Sequence, residues 1–318
     1  MISVVMSVFK EPKQWLVESI SSIIAQTYND IEIIVVVDNP YLAKESRESF
    51  DYLTEIKRMN NNVQLIFNEQ NLGLASSLNI GINASNGDFI ARMDADDISL
   101  PTRLEKEMAF LSEYNVDMVS TNGFIIDEKS NIVDSSIGKM YFDPTNILPN
   151  KNCILHPSVL VKKSVLIDVG LYRNFRRSQD YDLWLRMISL GYKIRTLDEN
   201  LVKYRKSNDN LSNTNRLEQY YTNLYQKKLF IERQKKGIDS FSEKNYRRYI
   251  LSKKITPKKN EKCKKCMLHL NNAKRLKENG KSCFKELFRA FFCYPSIVLR
   301  SVLNSISGSS INTKRGAK

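Results

Sequence analysis

The sequence predicts an α/β protein built on an open, mostly parallel sheet, with a helical and basic C-terminal extension. Three observations carry this reading. Short β-branched runs alternate with longer amphipathic segments through the first half, polar and acidic residues recur just after those runs, and from about residue 213 aromatic and basic residues take over. With 318 residues and 42% hydrophobic content, the chain can bury one large domain plus an appendage. The expected division is an α/β domain over 1–212 and a basic helical region over 213–318.

The elements follow in order. Ile2–Phe9 reads as a strand, and in Gln14–Gln26 the residues Leu16, Ile20, Ile23 and Ile24 share one helical face. Ile31–Val37 is nearly all Ile and Val, as a parallel strand covered on both faces requires. Val63–Phe67 is a third strand, followed by a helix from about Gly73 to Asn83, then a strand over Phe89–Met93. Pro101 should sit in the first turn of the next helix, with Ser99 as its cap, and Val116–Ser120 reads as a further strand.

Open parallel sheets bind ligands beyond the carboxyl ends of their strands. Ser7, Asp38 and the group Asp94, Asp96 and Asp97 all fall there. Three carboxylates within four positions repel one another unless a cation neutralises them. An all-oxygen set of this kind suits Mg²⁺ or Mn²⁺ with phosphate oxygens completing the shell. Farther on, Leu183, Met187 and Leu190 are spaced as a buried helix face, which puts Asp180 and Asp182 in or before its first turn. The helix dipole alone accounts for acids there; the other reading makes one of them a general base. Trp184 is either a core residue or a wall for a sugar.

The ordered set of motifs resembles inverting family 2 glycosyltransferases of the GT-A fold, whose nucleotide-binding sheet is Rossmann-like. Within them it is similar to the bacterial exopolysaccharide, O-antigen, capsule and amylovoran group. The matching pieces are Val4-Val5-Met6-Ser7-Val8-Phe9, Glu32 to Asp38, Asn71-Leu72-Gly73-Leu74-Ala75 and Leu78-Asn79-Ile80-Gly81. They continue with Ala91 to Asp97 leading to Pro101-x-Arg103, His156-Pro157-Ser158-Val159, Gly170-Leu171-Tyr172, Asp180 to Met187 and Tyr204-Arg205. Together they cover roughly residues 2–205.

The resemblance implies a role for each site residue. Ser7 and Asp38 would contact the uracil–ribose end of a UDP-sugar, and Asp94 would lie along its ribose and diphosphate. Asp96, the second Asp of the Asp-x-Asp motif, would bind Mn²⁺ or Mg²⁺. Asp180 would be the catalytic base, and Arg205 a contact to the donor phosphates. The acceptor implied is a saccharide, undecaprenyl-diphosphate-linked, and the product a β-glycoside of galactose, glucose or N-acetylglucosamine. His156 either approaches the phosphates or packs against Pro157. Two positions depart from the family pattern. Gln179 stands where Glu is usual before the base, and Asp38-Asn39-Pro40 replaces a frequent Asp-Gly-Pro, a turn that Asn can sustain because it tolerates positive φ.

Net charge is +14, unevenly divided: residues 1–200 carry −7 and residues 201–318 carry +21. Such a tail suits an anionic partner. Phe284, Leu287, Phe288 and Phe291 follow i, i+3, i+4, i+7 with Lys281, Lys285 and Arg289 close by, the pattern of a helix lying in a membrane interface. Packing of that face on the rest of the chain is the alternative. Pro295 should end the helix, with an apolar pattern resuming over Ile297–Ile306. No apolar run approaches the ~18 residues of a spanning helix, and the first residues read as a strand rather than a leader. The expectation is a cytoplasmic enzyme, peripheral on the inner face of the membrane through an anionic surface, with no nucleic acid partner. Five cysteines with one Cys-x-x-Cys pair (Cys263, Cys266) suit free thiols; a zinc site with His269 and Cys283 is the other option. Two further functions compete. A nucleotidyltransferase needs a glycine-bearing loop after the first strand, where this chain has Lys10-Glu11-Pro12-Lys13; a nucleic-acid binder would rest on the basic tail alone.

Overall fold

The computed structural model describes residues 1–135, 141–206 and 215–299. The 212/213 boundary and the apolar segment beyond Leu299 lie outside them. Residues group into two compact units: one comprises the described residues of Met1–Asn210 with Gln226–Ser240, the other those of Leu211–Tyr225 with Phe241–Lys318.

The first unit is a nine-stranded sheet. Strands β1 (Ile2–Val8), β2 (Ile31–Val37), β3 (Val63–Phe67) and β4 (Phe89–Arg92) lie in the order β3-β2-β1-β4, all parallel. Beyond β4 the order continues β8 (Leu160–Lys162), β6 (Met118–Ile126), β9 (Ile194–Arg205) and β5 (Ile98–Ser99), with β7 (Ile132–Asp134) paired to β6. The short β8 runs antiparallel to both its neighbours, while β6 and β9 are parallel. The fold is thus mixed α/β, with one half of the sheet wholly parallel, as expected.

Helices cover both faces, which is why β2 is apolar apart from Glu32, which accepts from Ser3 Oγ and Asn86. On one face α1 (Lys13–Ile24), α3 (Arg47–Met59) and α5 (Arg103–Glu113) bury Leu16, Ile20, Ile23, Leu53, Leu104 and Phe110 against Val4, Met6 and Ile33. The short α2 (Leu42–Glu45) precedes α3. On the other face α4 (Leu74–Ala84), α6 (Lys163–Asp168) and α7 (Gln179–Ser189) pack Leu78, Ile82, Leu166 and Trp184 against Val5 and Ile90. Each such side chain contributes roughly 1.5–3 kcal/mol by leaving water.

Gly81 sets how closely α4 approaches the sheet. A Cβ there would stand 2.6 Å from Val5 Cγ1 and 3.3 Å from Val36 Cγ2. Both neighbours are β-branched strand residues with little rotamer freedom. Overpacking of ~1–3 kcal/mol exceeds the ~0.5–1 kcal/mol that Ala gains over Gly inside a helix. Gly81→Ala is therefore expected to lower the melting temperature by several degrees in a thermal melt followed by circular dichroism.

Two local expectations are corrected. Ser99 does not cap a helix; it lies in β5, opposite Val202 of β9, and α5 begins only at Arg103, two residues after Pro101. Nor does Asn39 take positive φ. Its side-chain Oδ1 instead accepts from Tyr41 N at 2.9 Å and its Nδ2 donates to Phe9 O at 3.0 Å, so an Asx turn replaces the glycine.

Within the second unit, α9 (Glu243–Ser252) is capped by Ser242, whose hydroxyl accepts from Asn245 N. Thr256 caps α10 (Pro257–Glu278), which has Pro at its first position. The helix α11 (Phe284–Cys293) ends just ahead of Pro295, as expected. A preceding helix, Arg216–Lys236 (α8 in chain order), divides between the two units. The unit's small core holds Leu217, Cys263, Cys266, Ala290, Ile297 and Val298.

Candidate active site

The acidic segment leaves the end of β4 and turns at once, with Asp97 N bonded to Asp94 O at 3.3 Å. Two elements fix it. Ser19 Oγ of α1 donates to Asp94 O at 3.0 Å. From the end of β9, Arg205 donates its backbone N–H to Asp97 Oδ1 and its Nε to Asp96 O, both at 2.7 Å. The rest of the Arg205 guanidinium is engaged too, with Glu18, Asp127 O and Ser130 Oγ, and it lies over the Trp15 ring at 5.0 Å. Arg205 thus braces the acidic segment through the Asp96 carbonyl and the Asp97 carboxylate.

Asp94, Asp96 and Asp97 bring one carboxylate oxygen each within 4.8 Å of one another. Burial, then the charges of Asp94 and Glu11, push the Asp96 carboxyl up to about 7. Burial, then Asp96 and Asp94, hold Asp97 well above the usual carboxylate range. Asp97 Oδ2 is enclosed without a hydrogen-bond partner. Crowded oxygen donors with an orphaned carboxylate oxygen fit a hard divalent cation. Among the described residues this is the one group of three or more metal-ligating side chains so placed. His269 instead pairs with Glu286 at 2.7 Å, and Cys263 and Cys266 belong to the core of the second unit.

Glu11 was not singled out from the sequence. It follows β1 at the ligand edge of the sheet, accepts from Phe9 N at 2.7 Å and Lys10 N at 3.1 Å, and is raised by burial and by Asp94. Its signal was its position after a strand, the same one that marked Ser7 and Asp38.

Asp38 follows β2, with both oxygens engaged. Oδ1 accepts from Asn68 Nδ2 and Leu72 N, and Oδ2 from Gly73 N, each at 2.8 Å. It fixes the Gly73 turn that opens α4. Ser7 lies in β1 opposite Val36, one residue before the strand ends.

Asp180 and Asp182 separate cleanly. Asp182 is fully buried, 2.8 Å from Arg186 Nε and 3.8 Å from Arg173 Nη1, so it serves the core. Asp180 sits in the first turn of α7, where Asn152 Nδ2 donates to its Oδ2 at 2.6 Å. Burial raises its carboxyl; the Asn152 bond and the backbone N–H groups of the helix start oppose this, and Asp94 adds to it. Asp180 and the acidic segment therefore act on each other. Beside them, His156 Nε2 lies 2.8 Å from Tyr172 Oη, and its ring meets those of Tyr172 and Trp184 edge-on. Burial and the Arg92 charge push His156 far down, so it is neutral. Trp184 is a core residue.

Comparison with known proteins agrees with this geometry. The family model for glycosyl transferase family 2 matches residues 3–170. An uncharacterised glycosyltransferase of Methanocaldococcus jannaschii is 35% identical over 218 residues, covering 65% of this chain and 71% of that protein. The O-antigen biosynthesis glycosyltransferase WbnJ of Escherichia coli is 34% identical, covering 65% and 80%. The amylovoran biosynthesis glycosyltransferase AmsE of Erwinia amylovora is 32% identical, covering 66% and 77%. Among solved structures, S. aureus TarS 1-349 in complex with UDP-GlcNAc superposes with a TM-score of 0.58 at 15% identity, covering 78% of this chain and 70% of that one. That likeness is one of fold, the GT-A arrangement. With a family model spanning just over half its length and relatives above 30% identity, this chain belongs to glycosyl transferase family 2 and is a glycosyltransferase.

Proposed function

We propose that the protein transfers a hexose (galactose, glucose or N-acetylglucosamine) from a UDP-sugar to a saccharide acceptor carried on undecaprenyl diphosphate. The reaction inverts the anomeric centre and belongs to the assembly of a bacterial surface polysaccharide. The observation that carries this reading is the crowded Asp94, Asp96 and Asp97 carboxylates after β4, and the support beside it is Asp180, a buried carboxylate held by Asn152 and raised further by the charge of Asp94. One relative is named as a UDP-galactose-dependent β-1,3-galactosyltransferase acting on N-acetylglucosamine-diphosphoundecaprenol, which supports the donor and acceptor classes.

Asp180 takes the proton of the acceptor hydroxyl as that oxygen attacks the anomeric carbon. The bond from that carbon to the diphosphate oxygen breaks on the opposite face, leaving UDP, a β-glycoside and a protonated Asp180. Asp96, with Asp94 and Asp97 beside it, would hold Mn²⁺ or Mg²⁺, which when bound neutralises charge on the departing diphosphate. Ser7 and Asp94 face the nucleotide. Asp38 and Arg205 act on the donor by fixing the Gly73 turn and the Asp96–Asp97 backbone, because their own polar atoms are engaged there.

Incubation of the protein and Mn²⁺ with UDP-glucose, UDP-galactose or UDP-N-acetylglucosamine and a lipid-diphosphate-linked N-acetylhexosamine tests the proposal. Transfer from at least one donor, lost on chelation, is expected; none from any donor overturns it. Asn152→Leu removes the bond that favours ionised Asp180, so the acidic limb of the kcat–pH profile should move to higher pH. An unmoved limb would remove Asp180 from the role of base.

No helix among the described residues is long and apolar enough to cross a membrane. A surface attachment is supported by α11, where Phe284 is 75% exposed and Phe288, Phe291 and Phe292 form a ridge beside Lys285 and Arg289. Flotation with vesicles containing anionic lipid, weakened by salt, is expected, with no shift of an oligonucleotide under the same conditions.

A further inference from the structure

Arg92 ends β4, 3% exposed, with its backbone carbonyl accepting from Arg103. Strand alternation puts Ile90 and Arg92 on the same face of the sheet. Ile90 packs there with Leu78 of α4 and Trp184 of α7. Arg92 Nη2 is ion-paired with Asp94. Its Nε and Nη1 are enclosed and have no acceptor among the described residues. Arg233, paired with Asp239, also keeps one enclosed nitrogen, Nη2, without an acceptor among the described residues, whereas three other buried arginines of this unit are fully engaged. Arg103 is engaged by Glu107 and two backbone carbonyls, Arg186 by Asp182 and two backbone carbonyls, and Arg205 as described above. Buried guanidinium N–H groups are rarely left without acceptors unless a ligand supplies them.

Position says which ligand atoms these are. The Asp96 end of the segment is braced by Arg205, whereas Arg92 lies on the face of the sheet that α7, the Asp180 helix, covers. His156 and Tyr172 share that face, and the Arg92 charge bears on both. In an in-line displacement the sugar ring lies between the base and the departing diphosphate, hence between Asp180 and the Asp96 end. Arg92 pairs with Asp94 and shares the face of the sheet that the Asp180 helix covers. Its pairing with Asp94 also suits a hydroxyl, which donates to the carboxylate and accepts from the guanidinium. Resting on the glycosyl-transfer reading above, we infer that Arg92 is a specificity-determining residue that reads hydroxyl oxygens of the transferred sugar ring, not the UDP.

Calorimetric titration in Mn²⁺ separates these contacts. UDP, UDP-glucose, UDP-galactose and UDP-N-acetylglucosamine are titrated into wild type, Arg92→Met and Arg92→Lys. Arg92→Met should leave UDP affinity within about threefold while weakening the sugar nucleotide used in turnover by about tenfold or more, the scale of a lost charged hydrogen bond. Arg92→Lys keeps the charge but not the fork, so it should retain UDP binding and lose discrimination among the three donors. If Arg92→Met does not fold, as judged by thermal melting, the lysine variant carries the test. A parallel loss of UDP affinity, or no loss for any sugar nucleotide, overturns the assignment. Failure of wild type to bind UDP or any of the three donors would instead overturn the proposed function.

Discussion

Asp180→Asn is expected to lower kcat by roughly 10²–10⁴-fold, the usual contribution of a positioned general base, while UDP-sugar affinity stays near wild type. Asn keeps the shape and the partnership with Asn152 but cannot take the acceptor proton. The measurement is transfer rate at saturating donor together with equilibrium binding of the same donor. A variant with wild-type kcat would remove Asp180 from the chemistry. One that lost donor binding in proportion would place it in the binding site instead. Asp182→Asn offers a contrast, because Asp182 is paired with Arg186 inside the core. Its cost should appear in the melting temperature, since breaking a buried ion pair leaves a charge uncompensated.

Asp96→Asn should reduce metal-dependent transfer by about 10³-fold, corresponding to several kcal/mol of charge stabilisation. It should also abolish the rise in melting temperature that Mn²⁺ gives the wild type. The pH dependence follows from the crowding of carboxylates. Asp96 is raised to about 7 in the metal-free fold, so the unfolded chain releases this proton first. Metal-free stability therefore falls as pH rises from the ordinary carboxylate range through about 7, the reverse of a salt-bridged Asp. Cation binding displaces that proton, so the Mn²⁺-induced shift in melting temperature should be larger at pH 8 than at pH 6. An equal shift at both pH values would show that Asp96 is not a ligand.

Much of this was legible in the residues. The β-branched runs marked the parallel strands because strands covered on both faces admit little else, as Ile31–Val37 shows. The carboxylates placed after strands marked the ligand edge. Contacts made across long separations in sequence were not legible. Asn152 lies in a segment without apolar period and reaches Asp180 across 28 residues. Arg205 matched a family motif, but only the pairing of β5 with β9 turns it toward the backbone of Asp96 rather than outward. The short β8, three residues inserted antiparallel between β4 and β6, carries too little pattern to announce its direction. Asp180 and Asp182 have the same local signal, and only tertiary partners distinguish them.

The brace formed by Arg205 has a consequence for how the protein becomes active during synthesis. Its bonds to Asp96 and Glu18 close loops of 109 and 187 residues. Pairings so distant in sequence form late, because loop closure must precede the contacts that reward it. A nascent chain can assemble the four parallel strands before β9 has left the ribosome. Until then the acidic segment lacks the counter-charge of Arg205, so cation capture and the last stage of folding should be one event. Refolding rates measured with and without Mn²⁺ would then diverge only in the slowest phase.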